Sequence, residues 1–316
     1  MRILVTGSAG FIGYHLSKAL IKDNNNKVYG IDNLNAYYDV RLKKKRLLDL
    51  KSKNFKFIKI DIQNQNSLKK IFKKNKFDIV YHLAAQAGVR YSILNPKTYF
   101  DSNLTGFFNI LESCRNYKVK HLIFASTSSV YGKQTVYPIK EQFNTDRPLS
   151  FYAATKKCNE VMAYAYNNIY NLKCTALRFF TVFGPMGRPD MALFKFANSL
   201  RKNKVFYLFN HGNHYRDFTY IDDVIYYLLK IKLDKTKNNY EIYNVCSNNP
   251  VSLKKYYFEI KKYFKKKPKV KKIELQKGDV IKTHGSNSKL KKKFGFKKFL
   301  KIELGIRNFI SWFLNN

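Results

Sequence analysis

Acidic residues are scarce: 21 Asp and Glu face 60 Lys and Arg in 316 residues, a formal charge of +39. Such an imbalance ordinarily points to a polyanionic partner. The lysines are dispersed, however, denser toward the C-terminus, and accompanied by abundant Asn, Ile and Tyr, the pattern of a genome-wide compositional bias. No helix-turn-helix or aromatic-basic RNA signature accompanies them. Specific nucleic-acid binding is therefore not expected, only non-specific adhesion at low salt. Cysteine is sparse too. Cys114, Cys158, Cys174 and Cys246 are widely scattered without a C-x-x-C pair, which argues against a disulfide framework or a thiolate zinc site and for a reducing cytoplasm. His211 and His214 lack a third ligand, so no metal is expected. Long apolar runs are missing as well. Residues 1–7 reach glycine before a signal-peptide core is complete, and no later stretch approaches a membrane span, so a soluble, cytoplasmic protein is expected.

What is present is a globular composition, 45% hydrophobic and 16% aromatic, over a length that suits one large domain and a smaller one. An apolar run at residues 2–6 leads into Gly7-Ser8-Ala9-Gly10-Phe11-Ile12-Gly13 and then a helical pattern through Leu16, Ala19 and Leu20. Glycines suit such a turn because side chains would keep the backbone from a pyrophosphate, whose charge is met by free N–H groups at the helix start. A second strand, residues 27–31, ends in Asp32, 19 residues beyond Gly13, the spacing of a carboxylate that takes ribose hydroxyls. Asn33 follows where an arginine would receive a 2′-phosphate, which favours NAD over NADP. Strand runs at 55–60, 78–82 and 121–125 alternate with helical segments, predicting an α/β fold with a doubly wound parallel sheet. Asp61-Ile62 closes the third strand where an adenine would be held. His82-Leu83-Ala84-Ala85 closes the fourth, with small residues that leave room for a cofactor, whereas His82 alone reads as a structural histidine.

The fifth strand runs into Ser126-Thr127-Ser128-Ser129-Val130-Tyr131-Gly132, hydroxyls at the sheet edge where ligands bind. Downstream, Tyr152 and Lys156 stand four apart, on one face of a helix. An ammonium beside a phenol favours its anion, so Tyr152 is a candidate general base with Lys156 as support.

The chain resembles the extended short-chain dehydrogenase/reductase family and, within it, the UDP-glucuronate 4-epimerases of surface polysaccharide synthesis. The resemblance covers nearly the whole length. Its most specific stretches are Asn33-Leu34-Asn35-Ala36-Tyr37-Tyr38-Asp39, Gln86-Ala87-Gly88-Val89-Arg90-Tyr91-Ser92, Arg178-Phe179-Phe180-Thr181-Val182-Phe183-Gly184-Pro185, Gly187-Arg188-Pro189-Asp190-Met191 and Arg216-Asp217-Phe218-Thr219-Tyr220-Ile221-Asp222-Asp223. The resemblance implies that Tyr152 is the base, that Lys156 holds the nicotinamide ribose and lowers the tyrosine pKa, and that Thr127 bonds the reacting sugar oxygen. It implies NAD contacts at Gly7, Gly10, Phe11, Ile12, Gly13, Asp32, Asn33, Asp61, Ile62, Leu83, Ala84 and Ala85. Arg216 and Asp279 resemble the residues that hold diphosphate and uridine ribose, and Arg90 is counted with the substrate residues. A homodimer through helices of the NAD domain is also implied. The expected domains are 1–178, with 218–246 returning to it, for NAD, and 179–217 with 247–316 for the nucleotide sugar.

Relatives that remove water or CO2 from nucleotide sugars carry acids after the threonine, where this chain has Ser128 and Ser129. Elimination then lacks its proton shuttle, while oxidation and re-reduction at C4 need only the tyrosine. A uronate substrate requires its carboxylate to be held against loss of CO2, for which Ser128, Ser129, Thr181 and Arg188 are the candidates; Arg188 is alternatively a loop arginine paired with Asp190. Thr181 stands where the resembling UDP-galactose epimerases usually have asparagine. Departures from the family pattern, Ile281-Lys282 for proline and Met186 for tryptophan, bear on fine specificity. The alternatives are a 4-epimerase of another nucleotide sugar, such as UDP-glucose, and a non-catalytic NAD-binding scaffold, against which the intact Tyr/Lys/Thr set speaks. Residues 254–272, alternating lysine with aromatics, read as an amphipathic helix with a solvated lysine face, the other reading being a membrane-surface or polyanion patch.

Overall fold

The computed structural model describes residues 1–234, 240–265, 270–275 and 278–316. It divides into two compact units: Met1–Gly132, Phe143–Arg178 and Ile225–Tyr243 form the first, and Lys133–Gln142, Phe179–Val224 and Asn244–Asn316 the second.

The first unit is built on β1 (Arg2–Thr6), β2 (Lys27–Asp32), β3 (Phe55–Lys59), β4 (Ile79–His82), β5 (His121–Thr127), β6 (Cys174–Phe179) and a last strand, Tyr240–Val245. Their order is Tyr240–Val245, β6, β5, β4, β1, β2, β3. The pairs β3–β2, β2–β1, β1–β4 and β4–β5 are parallel. Strand order reverses beside β1, which makes the sheet doubly wound, as the alternation of strands and helices predicted. β1 shows why: after Arg2 every residue is buried, as a central parallel strand covered on both faces requires. Leu68, Ile71 and Phe72 of the helix Gln65–Asn75 share one core with Phe107, Ile110 and Leu111 of Gly106–Asn116. Each such side chain contributes about 1.5–3 kcal/mol of transfer free energy.

The second unit holds a three-stranded sheet in the order Pro250–Ser252, Tyr215–Tyr220, Thr181–Phe183, antiparallel in its first pair and parallel in its second. Phe206–Phe209 pairs in parallel with Val270–Ile273. Its core is aromatic: Phe218 stacks on Tyr256 at 4.0 Å, and Phe194 meets Phe309 edge-on at 5.0 Å. Residues 133–142 belong here although they lie inside the 1–178 span. Backbone bonds draw them in, Ile139 N–H to the His284 carbonyl and Ser286 N–H to the Ile139 carbonyl, both at 2.8 Å.

The lysine-aromatic segment is corrected by the structure. Its helix ends at Lys261, with Tyr256, Tyr257 and Ile260 buried and Lys254 and Lys255 exposed, while Val270–Ile273 is a strand because Phe206–Phe209 offers it a ladder. Residues 266–269 of that segment lie outside the described residues. No helix among the described residues is long and apolar enough to cross a membrane.

Candidate functional site

The turn after β1 is shaped by glycine. Gly7 has φ +71°, and a Cβ there would lie 2.8 Å from the Ala84 nitrogen; on Gly13 it would lie 2.1 Å from the Gly7 carbonyl oxygen. Gly7 and Ser8 N–H groups bond the Ile31 carbonyl at 2.8 and 3.2 Å, clamping the turn to β2. The helix Phe11–Leu20 starts at Gly10 with no side-chain cap, which leaves its first-turn N–H groups, Phe11 and Ile12 among them, available to an anion.

Asp32 ends β2 half-buried beside this turn and accepts from Leu34 N–H at 2.8 Å and Ala9 N–H at 3.3 Å. Burial pushes its carboxyl above the usual range, while Lys43, the two N–H donors and Arg46 pull it back. Asn33 donates to Asp61 Oδ2 at 2.9 Å, so these two polar side chains form one unit. The Ile62 side chain, by contrast, packs into the core, and its carbonyl accepts from Asn109 at 3.1 Å. Leu83 N–H bonds the Thr6 carbonyl at 3.2 Å and Ala84 N–H the Thr6 hydroxyl at 3.1 Å, holding the β4 end against β1; Leu83, Ala84 and Ala85 are each partly exposed. His82 Nδ1 shares a 2.9 Å bond with the same Thr6 hydroxyl. Burial, with Lys156 nearby, pushes His82 down to about 3, so it stays neutral. An uncapped helix start, a glycine cradle and a carboxylate at the end of β2 fit a dinucleotide.

Beyond β5 the backbone winds into a 3-10 turn, Ser128–Tyr131. Thr127 heads it: its Oγ1 accepts from Ser129 N–H and bonds Ser129 Oγ, both at 3.2 Å. Ser128 and Ser129 remain partly exposed beside the buried Thr127. Ser150 caps the helix Phe151–Tyr170 by accepting from Ala153 N–H at 3.2 Å, so Tyr152 falls in the first turn and Lys156 one turn on. Tyr152 is half-buried with its ring edge-on to Tyr99 at 6.0 Å. Lys156 is 1% exposed, and its Nζ donates to Asn159 Oδ1 at 3.3 Å. Burial draws its ammonium down to about 8, with Glu160 opposing. A lysine so poised keeps its charge at neutral pH, and it stands one helical turn from Tyr152.

In the second unit, Thr181 opens its strand opposite Phe218. Arg188 pairs with Asp190, Nε to Oδ1 at 3.0 Å, so the loop pairing is the arrangement present. Arg216 and Asp279 are brought together at 2.7 Å, and Arg216 also bonds the carbonyls of Tyr215 and Ile281 at 3.0 and 3.2 Å. Arg90, in the first unit, sits partly exposed on the short helix Val89–Leu94. His211 bonds Glu274 at 2.9 Å and His214 is buried.

Three features escape sequence reasoning. Lys43 and Arg46 flank Asp32 electrostatically; Lys43 donates to Asn35 at 2.8 Å, and the fully buried Arg46 to the Ala9 carbonyl and Tyr38 hydroxyl, both at 2.7 Å. Asn103 lies on a π-helical turn, Phe100–Thr105, and joins Gln86 and Thr155 at 3.0 and 3.1 Å. Asp217, wholly buried, gathers Ser247 N–H and Oγ, Asn248 N–H and Gly285 N–H at 2.7–3.2 Å. The one available signal was the three-residue spacing of Lys43 and Arg46 on an otherwise solvated lysine helix.

Strand order, glycine turn and Tyr-x-x-x-Lys helix define a class, the doubly wound α/β proteins of dinucleotide-binding type. The chain belongs to the NAD dependent epimerase/dehydratase family, whose model matches residues 3–246. It is 44% identical to Protein CapI of Staphylococcus aureus over 99% of this chain and 98% of that protein. It is 43% identical to the UDP-glucuronate 4-epimerase of Thermodesulfobacterium geofontis, over 99% and 96% of the two chains. The solved UDP-glucuronic acid 4-epimerase of Bacillus cereus, in complex with UDP-glucuronic acid and NAD, superposes with a TM-score of 0.94 at 32% identity, covering 100% of this chain and 99% of that one.

Proposed function

We propose that this chain interconverts the C4 epimers of a UDP-hexuronic acid, UDP-glucuronate and UDP-galacturonate, in the cytoplasm, for surface polysaccharide synthesis. The observation that carries the reading is Thr127-Ser128-Ser129, a hydroxyl turn without an acid, on the same unit as a capped helix that carries Tyr152 and Lys156. Similarity to UDP-glucuronate 4-epimerases supports it. NAD, when bound, would accept a hydride from C4 and return it to the opposite face.

Tyr152 takes the proton of the C4 hydroxyl and returns it after the sugar turns over, so no net redox change occurs. Lys156 stabilises the phenolate by its charge, and Thr127 holds the reacting oxygen. Gly7, Gly10, Gly13 and Asp32 take the cofactor, with Phe11, Ile12, Asn33, Asp61, Leu83, Ala84 and Ala85 around it; Ile62 contributes through its main chain. The first unit is thus the cofactor unit, which also carries Tyr152 and Thr127, and the second unit carries the nucleotide-binding candidates Arg216 and Asp279. Ser128 and Ser129 are the first unit's candidates for holding the carboxylate out of alignment for loss of CO2, and Thr181 is the second unit's candidate. Arg188 serves the substrate by leaving Asp190, Arg90 adds a cation, and Arg216 with Asp279 takes the diphosphate and ribose. The exposed Ile93, Leu94, Phe108 and Val161, on helices of the first unit, support a homodimer, which sedimentation would reveal.

The test is incubation of the purified protein with UDP-glucuronate and, side by side, UDP-glucose. Formation of UDP-galacturonate is expected; its absence rejects the reading, and faster turnover of UDP-glucose replaces it with a neutral-sugar epimerase.

A further inference from the structure

Glu160 stands one turn beyond Lys156 on the helix Phe151–Tyr170 and is 3% exposed. Three other segments of the first unit close on it. Its Oε1 accepts from Ser126 Oγ at 2.5 Å and Arg178 Nε at 2.9 Å, its Oε2 from Arg178 Nη2 at 2.7 Å, and its carbonyl from the Tyr240 hydroxyl at 3.0 Å. The Arg178 guanidinium lies over the Tyr131 ring at 4.7 Å. Both side chains of the pair are 3% exposed. An ion pair buried this completely is a weak source of stability, because apolar replacements of equal volume often do as well. What it does supply is a fixed geometry.

Ser126 is the residue before Thr127, Tyr131 closes the hydroxyl turn, and Arg178 stands at the end of β6. Resting on the epimerase reading above, we propose that Glu160 is a positioning residue for proton transfer: its carboxylate ties the helix of Tyr152 and Lys156 to the strand end of Thr127, and supplies the counter-charge that faces Lys156. The titratable groups near Lys156 are Glu160 one turn ahead of it, Tyr152 one turn back on the same helix and His82 at the end of β4, with Arg178 and Tyr131 behind Glu160. Burial holds His82 neutral, so Glu160, with Arg178 paired behind it, is the charged group that acts on Lys156.

Two substitutions pull that field in opposite directions. Glu160→Gln removes the anion and leaves Arg178 uncompensated, so Lys156 gives up its proton at lower pH. Arg178→Met leaves the anion alone, so Lys156 keeps its proton to higher pH. Simple damage to packing moves both variants the same way.

The experiment measures turnover of UDP-glucuronate from neutral to alkaline pH in the wild type, the two single variants, the double variant and Ser126→Ala. Glu160→Gln and Arg178→Met are expected to lower kcat about tenfold or more with KM within about twofold. Their alkaline limbs move down and up respectively by about half a pH unit or more. The double variant returns the limb to the wild-type position, and Ser126→Ala, which leaves the pair intact, lowers kcat without moving the limb. Unchanged kcat in Glu160→Gln, or limbs that shift in the same direction, overturns the proposal. A wild type that makes no UDP-galacturonate defeats the epimerase reading instead. The Glu160 proposal is then decided without substrate, by ultraviolet titration of the phenol that vanishes in Tyr152→Phe. Its midpoint must fall in Glu160→Gln, where the surroundings of the phenol become more positive, and rise in Arg178→Met, where they become more negative, and any other outcome overturns it.

Discussion

Gly13 lies directly under Gly7: a Cβ on Gly13 would sit 2.1 Å from the Gly7 carbonyl oxygen, closer than any real side chain approaches. The obstacle is backbone, not a movable side-chain tip. Gly13→Ala therefore displaces the turn that meets the helix Phe11–Leu20. We expect copurifying NAD to be lost and stability to fall by about 3 kcal/mol or more, read by cofactor absorbance after denaturation and by urea unfolding.

Tyr152→Phe removes one hydroxyl from a half-buried ring and leaves Lys156 and the glycine turn untouched. Turnover should drop by about a thousandfold or more, the range of a lost general base with its proton-transfer partner, while NAD binding by calorimetry stays within about twofold of wild type. Retained turnover would reassign the base.

Ser129→Glu places an acid beside Thr127, as in the water- and CO2-removing relatives. A carboxylate there repels a uronate carboxylate but not a hydroxymethyl group. The ratio of kcat/KM for UDP-glucuronate over UDP-glucose should fall about tenfold or more; an unchanged ratio removes Ser129 from the carboxylate site.

Asp32→Asn deletes the one carboxylate held between Lys43 and Arg46. The ribose hydroxyls then lose their charged acceptor and a 2′-phosphate meets less repulsion, so NAD should bind about tenfold more weakly and the preference for NAD over NADP should shrink. Calorimetry with both cofactors checks this, and an unaltered preference would show that Asn33, not Asp32, discriminates.

His82 and His121 are buried and drawn from 6.5 to about 3, chiefly by burial. Between those values the unfolded chain binds more protons than the folded one, so stability is present above pH 6.5 and lost as pH falls toward 3. Each histidine costs about 2 kcal/mol between pH 6.5 and 5. Tm should drop over that interval, and His121→Gln, which can still meet Thr175 Oγ1, should flatten the slope; an unchanged slope would relocate the acid sensitivity.

Much of the first unit was legible because its signals are short in sequence. Gly7, Gly13 and Asp32 are read from spacing alone, and β1 from an unbroken apolar run. Features that depend on distant partners were not. Asn103 meets Thr155 across 52 residues and Glu160 meets Arg178 across 18, and neither pairing leaves a periodic trace. Lys43 and Arg46 are hidden by the lysines around them, since burial of a cation is decided by what it packs against and not by its neighbours in sequence. The helix reading of 254–272 runs into the strand Val270–Ile273 because that strand's partner, Phe206–Phe209, lies 64 residues earlier in the paired register.

The first unit's sheet ends in Tyr240–Val245, and the chain leaves that unit after Gly132 and after Arg178 before supplying it. A ribosome making this protein releases β1 through β6 long before the edge strand that covers β6 exists. Until residue 245 has emerged, β6 keeps an open ladder, and the nascent chain carries a template for strand pairing with its neighbours. Cells overproducing this protein should thus lose it to aggregation during synthesis, and stop codons placed between residues 179 and 239 should yield insoluble fragments, not a working half.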